Sequence, residues 1–332
     1  MTIPSSKYLK NKARNRLASG REPQKVMLWY VGISAVLTLL VAAVRYFLST
    51  QISKTGGLSN IGVRSVLSTL DTILPIVQMV ILMCLGLGYT AAMLRISRRQ
   101  YASPKTLKAG MERFWPLLLS KVLLGLICAA AAFVIAYLAA TIFLVTPLSN
   151  SFKDQVLPLV SNGTLTLETL LNDDALMTEQ SATLTPVMLI YAVLYIPAVA
   201  MISYRYRMTD YIILDQPGCS GFRAMQQSKQ LMRGNKLKLF RVDLSFWWYH
   251  LLRVLATGVL YLDQILIIFG KPLMLSNVVT FFGLSIAYLT VDFLISYFFL
   301  NYQSVTMALA YTSIAPKKEE TNTAVLGNIF DV

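Results

Sequence analysis

The stretch Trp115–Val145, WPLLLSKVLLGLICAAAAFVIAYLAATIFLV, decides the fold. One charge interrupts it, Lys121, which lies close enough to the start of the run to snorkel towards water. A membrane-spanning helix needs about 20 mostly apolar residues. This run exceeds that, so it predicts a span that tilts or protrudes. Working outward, Val26–Leu48, Thr72–Leu94, Thr185–Tyr204, Val242–Phe269 and Val278–Leu300 have the same character, which makes six. Of these, 242–269 is the least apolar. The whole chain agrees: of 332 residues 55% are hydrophobic and 14% charged, against about 25% charged in an average soluble domain. That excludes a simple soluble enzyme and a disordered tail. It also excludes a soluble nucleic-acid binder, although the formal net charge is +14. The expected fold is all-α: a polytopic membrane protein with six transmembrane helices, occupying residues 1–314 and followed by a flexible cytosolic tail, 315–332.

Lys and Arg set the orientation. Residues 1–25, 95–114, 205–241 and the tail from 301 carry seven, six, eight and two of them, whereas the opposite loops hold only Lys54, Arg64, Lys153 and Lys271. Both termini are therefore expected in the cytosol of a cell-membrane protein. Most of the positive excess is this orientation signal. No apolar run precedes residue 26, and Val26–Leu48 reads as a retained span rather than a signal peptide. Three scattered cysteines, Cys84, Cys128 and Cys219, make neither a disulfide framework nor a metal site. The outer loop, 146–184, is acidic and carries a short helical pattern around Leu165–Met177. It reads as a solvated surface or as a site for a cation or partner. Asn162-Gly-Thr164 matches a glycosylation sequon by pattern alone.

A basic amphipathic segment precedes each odd-numbered span. Ser6–Leu17 has Leu9, Ala13 and Leu17 on one face and Lys7, Lys10 and Arg14 on others. Ser103-Pro104 forms a good N-cap and first helical residue for Leu107, Met111 and Phe114. Ser220–Arg233 has Phe222, Met225 and Met232 on its apolar side and ends at Gly234-Asn235. This predicts a loose threefold repeat of interfacial helix and helical hairpin. The interfacial helices would lie on the cytosolic face with their cations towards anionic lipid headgroups. Gly86-Leu-Gly88 and the alanines from Cys128 to Ala140 read as close-packing surfaces. Pro75 and Pro197 are candidate kinks.

Residues 224–246, AMQQSKQLMRGNKLKLFRVDLSF, carry the most specific pattern in the chain. Ser228, Leu231, Met232, Gly234, Asn235, Lys236, Leu239, Phe240, Leu244, Ser245 and Phe246 resemble the signature S-x-x-L-M-x-G-N-K-x-x-L-F-x-L-x-L-S-F of an uncharacterised bacterial family, known only as a domain of unknown function. Val242 departs from it, as does the Arg16–Gly20 run in the first unit. The resemblance implies a six-span membrane protein and brings no activity. The same residues also read as an interfacial elbow. Gly234 would end a surface helix, Lys236, Lys238 and Arg241 would snorkel, and Phe240, Phe246, Trp247, Trp248 and Tyr249 would sit at the membrane interface.

Ionisable residues inside spans are costly and are candidate functional sites. The fifth span holds His250, Arg253 and Asp263; the sixth holds Asp292. On one helix Asp243, His250, Arg253, Thr257, Tyr261 and Gln264 would form a polar stripe. Arg253 and Asp292 fall at similar depth on consecutive spans and are expected to pair. The stripe reads as a structural seam or as a substrate or proton pathway. A lone histidine with no nucleophile beside it does not support hydrolysis. The expectation is a non-enzymatic membrane protein without cofactor, metal or nucleic-acid partner, acting as an assembly, interaction or lipid-surface module. The alternative is a small-solute or lipid transporter using the stripe.

Overall fold

The computed structural model describes residues 2–18, 20–54, 61–146, 150, 174–260, 262 and 277–315. Every regular element among them is helical. In chain order these are α1 (Ser6–Leu17), α2 (Glu22–Lys54), α3 (Ile61–Ser97), a 3-10 turn (Pro104–Lys108), α4 (Ala109–Glu112), α5 (Phe114–Val145), α6 (Asp174–Arg205), α7 (Thr209–Asp215), α8 (Gly221–Leu231), α9 (Lys236–Leu244), α10 (Trp247–Leu260), α11 (Asn277–Ile295) and α12 (Asn301–Ile314). A π-helical turn, Ser296–Leu300, joins α11 to α12 without a break. Much of the outer loop, Asp263, residues 264–269 and the tail from 316 lie outside the described residues.

Among the described residues five stretches are long and apolar enough to cross a membrane: Glu22–Ile52, Gly62–Ser97, Phe114–Val145, Pro186–Asp215 and Phe282–Ile314. They match the first, second, third, fourth and sixth predicted spans, and the last runs well beyond residue 300. The predicted fifth span differs. Its chain turns at Ser245–Phe246, so Lys236–Leu244 and Trp247–Leu260 are separate helices. The described part of α10, 14 residues, is about 21 Å long at helical rise. Pro75 and Pro197 lie inside uninterrupted helices.

The chain forms two compact units. One comprises residues 119–207, the other 1–118 together with 208–332. In the first, α5 and α6 carry large apolar side chains in the open: Phe133 is 79% exposed and Tyr137 71%. Surface of that kind on a monomer marks contact with lipid or protein.

The second unit has a packed core. Helix α2 lies along α3, and α12 packs on both α3 and α1. The 3-10 turn and α4 sit against α3 backbone to backbone. A Cβ at Gly88 would run into the Leu107 carbonyl, and one at Gly110 into the Cys84 carbonyl. The predicted helix after Ser103 has the expected cap but is a short 3-10 stretch followed by one α turn, which buries Thr106 and Leu107 and leaves Met111 exposed. On α1, Leu9 and Ala13 are buried as their spacing predicts. Lys10, expected to face headgroups, turns inward instead. Its ammonium donates to the Ser245 carbonyl at 2.6 Å and lies 4.3 Å from the centre of the Phe246 ring. Burial pulls its pKa below the ordinary lysine value.

The end of α3 has an unusual cap. Gln100 N–H donates to the Arg95 carbonyl and Arg99 N–H to the Ile96 carbonyl, the two bonds of a Schellman motif. The left-handed residue this requires is Arg99 (φ 62°), the only non-glycine with positive φ among the described residues. Glycine is the usual occupant, and a side chain there costs about 1–2 kcal/mol.

Candidate functional site

Two polar constellations flank the break at Ser245–Phe246. The first is the elbow. Gly234 adopts φ +79°, which a Cβ would disfavour; Asn235 does not share that conformation (φ −105°). Asn235 is 4% exposed. Its Oδ1 accepts from Ile3 N–H at 3.2 Å and its Nδ2 donates to the Leu231 carbonyl at 3.0 Å. Ser228 Oγ accepts from Met208 N–H at 3.2 Å, and Met232 and Leu239 are fully buried. Lys236 opens α9. Phe240 faces outward with Leu237 and Leu244, whereas Phe246 and Tyr249, assigned from sequence to the membrane interface, are buried. The elbow therefore also holds the N-terminal segment, a contact across 232 residues. No sequence pattern signals it, because the donor is a backbone amide.

Nearby, Arg98 is clamped to Asp215 by two hydrogen bonds of 2.7 and 2.9 Å. Tyr311 O–H donates to the same carboxylate at 3.1 Å and its ring stacks on Tyr211. The Asp215 hydrogen bond holds the Arg98 pKa above the ordinary guanidinium value. This knot ties the end of α3 to α7 and α12.

The second constellation is the charge pair. Arg253 Nη2 donates to Asp292 Oδ1 at 2.9 Å, and its Nη1 donates to the Tyr249 hydroxyl at 3.0 Å. The Arg253 side chain is 43% exposed and that of Asp292 18%. Both line a cavity of about 180 Å³ together with Tyr30, Ser34, Thr38 and Tyr288. Tyr30 stacks on Tyr89, whose hydroxyl donates to Asn301 Oδ1 at 2.7 Å.

His250 does not join the pair. Its Nε2 lies 3.4 Å from Gln303 Nε2. Asp243 is buried on α9 and, beyond the break, no longer continues a stripe with His250 and Arg253. Tyr261, Asp263 and Gln264 lie outside the described residues. Arg45 pairs with Asp71 at 2.9 Å.

No curated protein and no solved structure matches the chain. The profile of the protein family of unknown function DUF975 matches residues 1–318. With nearly its whole length covered, the chain belongs to that family.

Proposed function

We propose that the chain is a non-enzymatic, multi-pass protein of the cell membrane whose cytosolic layer engages anionic lipid headgroups. On this reading the chain from Trp247 onward supplies a sixth span, both termini are cytosolic, and a basic segment precedes each of three hairpins. The observation that carries it is α9. One face, Leu239 and Val242, is buried in the protein. Another, Leu237, Phe240 and Leu244, is exposed and continues into the exposed Trp247 and Trp248, with Lys238 and Arg241 beside it. An apolar stripe edged by cations suits a helix lying in the headgroup layer. The test is the lipid that co-purifies with the full-length protein. It should be richer in anionic phospholipid than the source membrane, and the enrichment should fall when Lys229, Arg233, Lys238 and Arg241 are replaced by Gln. Wild-type protein carrying lipid of bulk composition would refute the reading.

A second reading, a small-solute or proton pathway, is favoured by the cavity at Arg253 and Asp292. About 180 Å³ is below the usual ligand-pocket range of about 300–1,000 Å³ and suits water or a small ion. Proteoliposomes carrying Asp292→Asn should lose any solute or proton flux that wild-type protein shows, at equal reconstitution. Unchanged flux would remove this reading.

A further inference from the structure

A second, larger cavity of about 530 Å³ lies where α1, the start of α2 and the end of α3 meet. Lys12 and Arg16 line it from α1, and Arg99 from the chain that leaves α3. Asn15, Gln100 and Tyr101 add polar groups, and Glu22 is the single carboxylate against three cations. Its volume falls within the ordinary ligand range.

Consecutive arginines at the end of α3 have different surroundings. Arg98 is held by Asp215, whereas Arg99 lines the cavity. Arg99 occupies the left-handed position of a Schellman cap, where glycine would relieve the backbone. Retaining a side chain at a strained position is characteristic of binding sites. Guanidinium and ammonium side chains that line one cavity from separate segments suit the oxygens of a phosphate group.

We propose that this cavity binds one phosphate-bearing anion, either the headgroup of an anionic phospholipid or a soluble phosphate monoester. The proposal deepens the lipid-surface reading by giving it one discrete site, and it rests on that reading for placing the cavity at headgroup level. Because glycine suits the backbone at position 99, Arg99→Gly removes the guanidinium while keeping or raising thermal stability.

The experiment uses detergent-purified full-length protein. Native mass spectrometry with short-chain phosphatidylglycerol reads lipid binding, and calorimetry with glycerol 3-phosphate and inorganic phosphate reads the soluble ligands. The expected result is one site per chain in wild type, weakened about tenfold in Arg99→Gly and again in Lys12→Gln, the loss of roughly one charge-assisted contact each. Lipid binding alone identifies a headgroup; binding of the soluble ligands alone identifies a free phosphate. Equal affinity in wild type and Arg99→Gly, or no binding by wild type, overturns the site. If bulk anionic enrichment of co-purified lipid survives while single-site binding is absent or indifferent to Arg99, the cavity proposal fails and the lipid-surface reading stands. Loss of that enrichment in wild type fails the broader reading.

Discussion

The elbow at Gly234-Asn235 and the pair at Arg253–Asp292 stand on either side of one turn and solve opposite problems. Asn235 is an uncharged, enclosed side chain whose amide oxygen and nitrogen both bond to backbone. Arg253 is charged and partly open, bonded to two side chains, and lines a cavity. Backbone partners cannot titrate or swing away. Side-chain partners around a cavity can exchange bonds with water or an ion. The elbow is therefore built to fix the chain, and the pair is built where rearrangement is possible.

Breaking the elbow should cost most. Asn235→Ala leaves the buried Ile3 amide without its acceptor and should destabilise by about 2–3 kcal/mol, read as a lowered melting temperature in detergent. Proteolysis should then cut near Lys7 and Lys10. An N-terminus that stays protected would mean that Asn235 is not its anchor. Asp292→Asn should cost less, about 1–2 kcal/mol, because Arg253 remains partly exposed. The double swap Arg253→Asp with Asp292→Arg should recover part of that loss. A swap no better than the single change would show that the Tyr249 contact, rather than charge, holds Arg253. Gly234→Ala should cost about 1 kcal/mol from its left-handed backbone; a neutral result would mean the elbow tolerates another turn.

The smallest effect concerns Cys219. Burial raises its thiol pKa, so the protonated form is favoured in the folded state. The associated stabilisation is present below the ordinary thiol value and fades as pH rises through the raised one. Alkylation of Cys219 at neutral pH should therefore be slower than in denatured protein, and equal rates would contradict its burial.

Long apolar runs were legible because lipid demands length and composition together, as Trp115–Val145 illustrates. The Arg253–Asp292 pair was legible from depth alone, since two opposite charges inside adjacent apolar segments have few other partners. The turn at Ser245–Phe246 was not. Lys10 reaches its carbonyl from more than 200 residues away, and the local sequence, SFWWYH, contains no glycine or proline to announce a break. The segment after Ser103 begins at the expected cap, but its packing was not legible, for a related reason. Leu107 and Met111 have helical spacing, but Gly88 and Gly110 bring two backbones into contact, and that contact sets the path. Arg99 looked like one more cation in a basic loop because handedness of the backbone leaves no trace in charge.

The π turn at Ser296–Leu300 has a consequence for the long helix that contains it. Closing i to i+5 accommodates about one residue more than an α turn, and one residue corresponds to about 100° of rotation around the axis. Asp292 on one side of the turn and Asn301 and Gln303 on the other are thereby indexed separately. The first meets Arg253, while the others meet Tyr89 and His250. The turn works as a phase joint, letting one continuous rod satisfy two sets of neighbours whose angular positions a straight α-helix would have to reconcile.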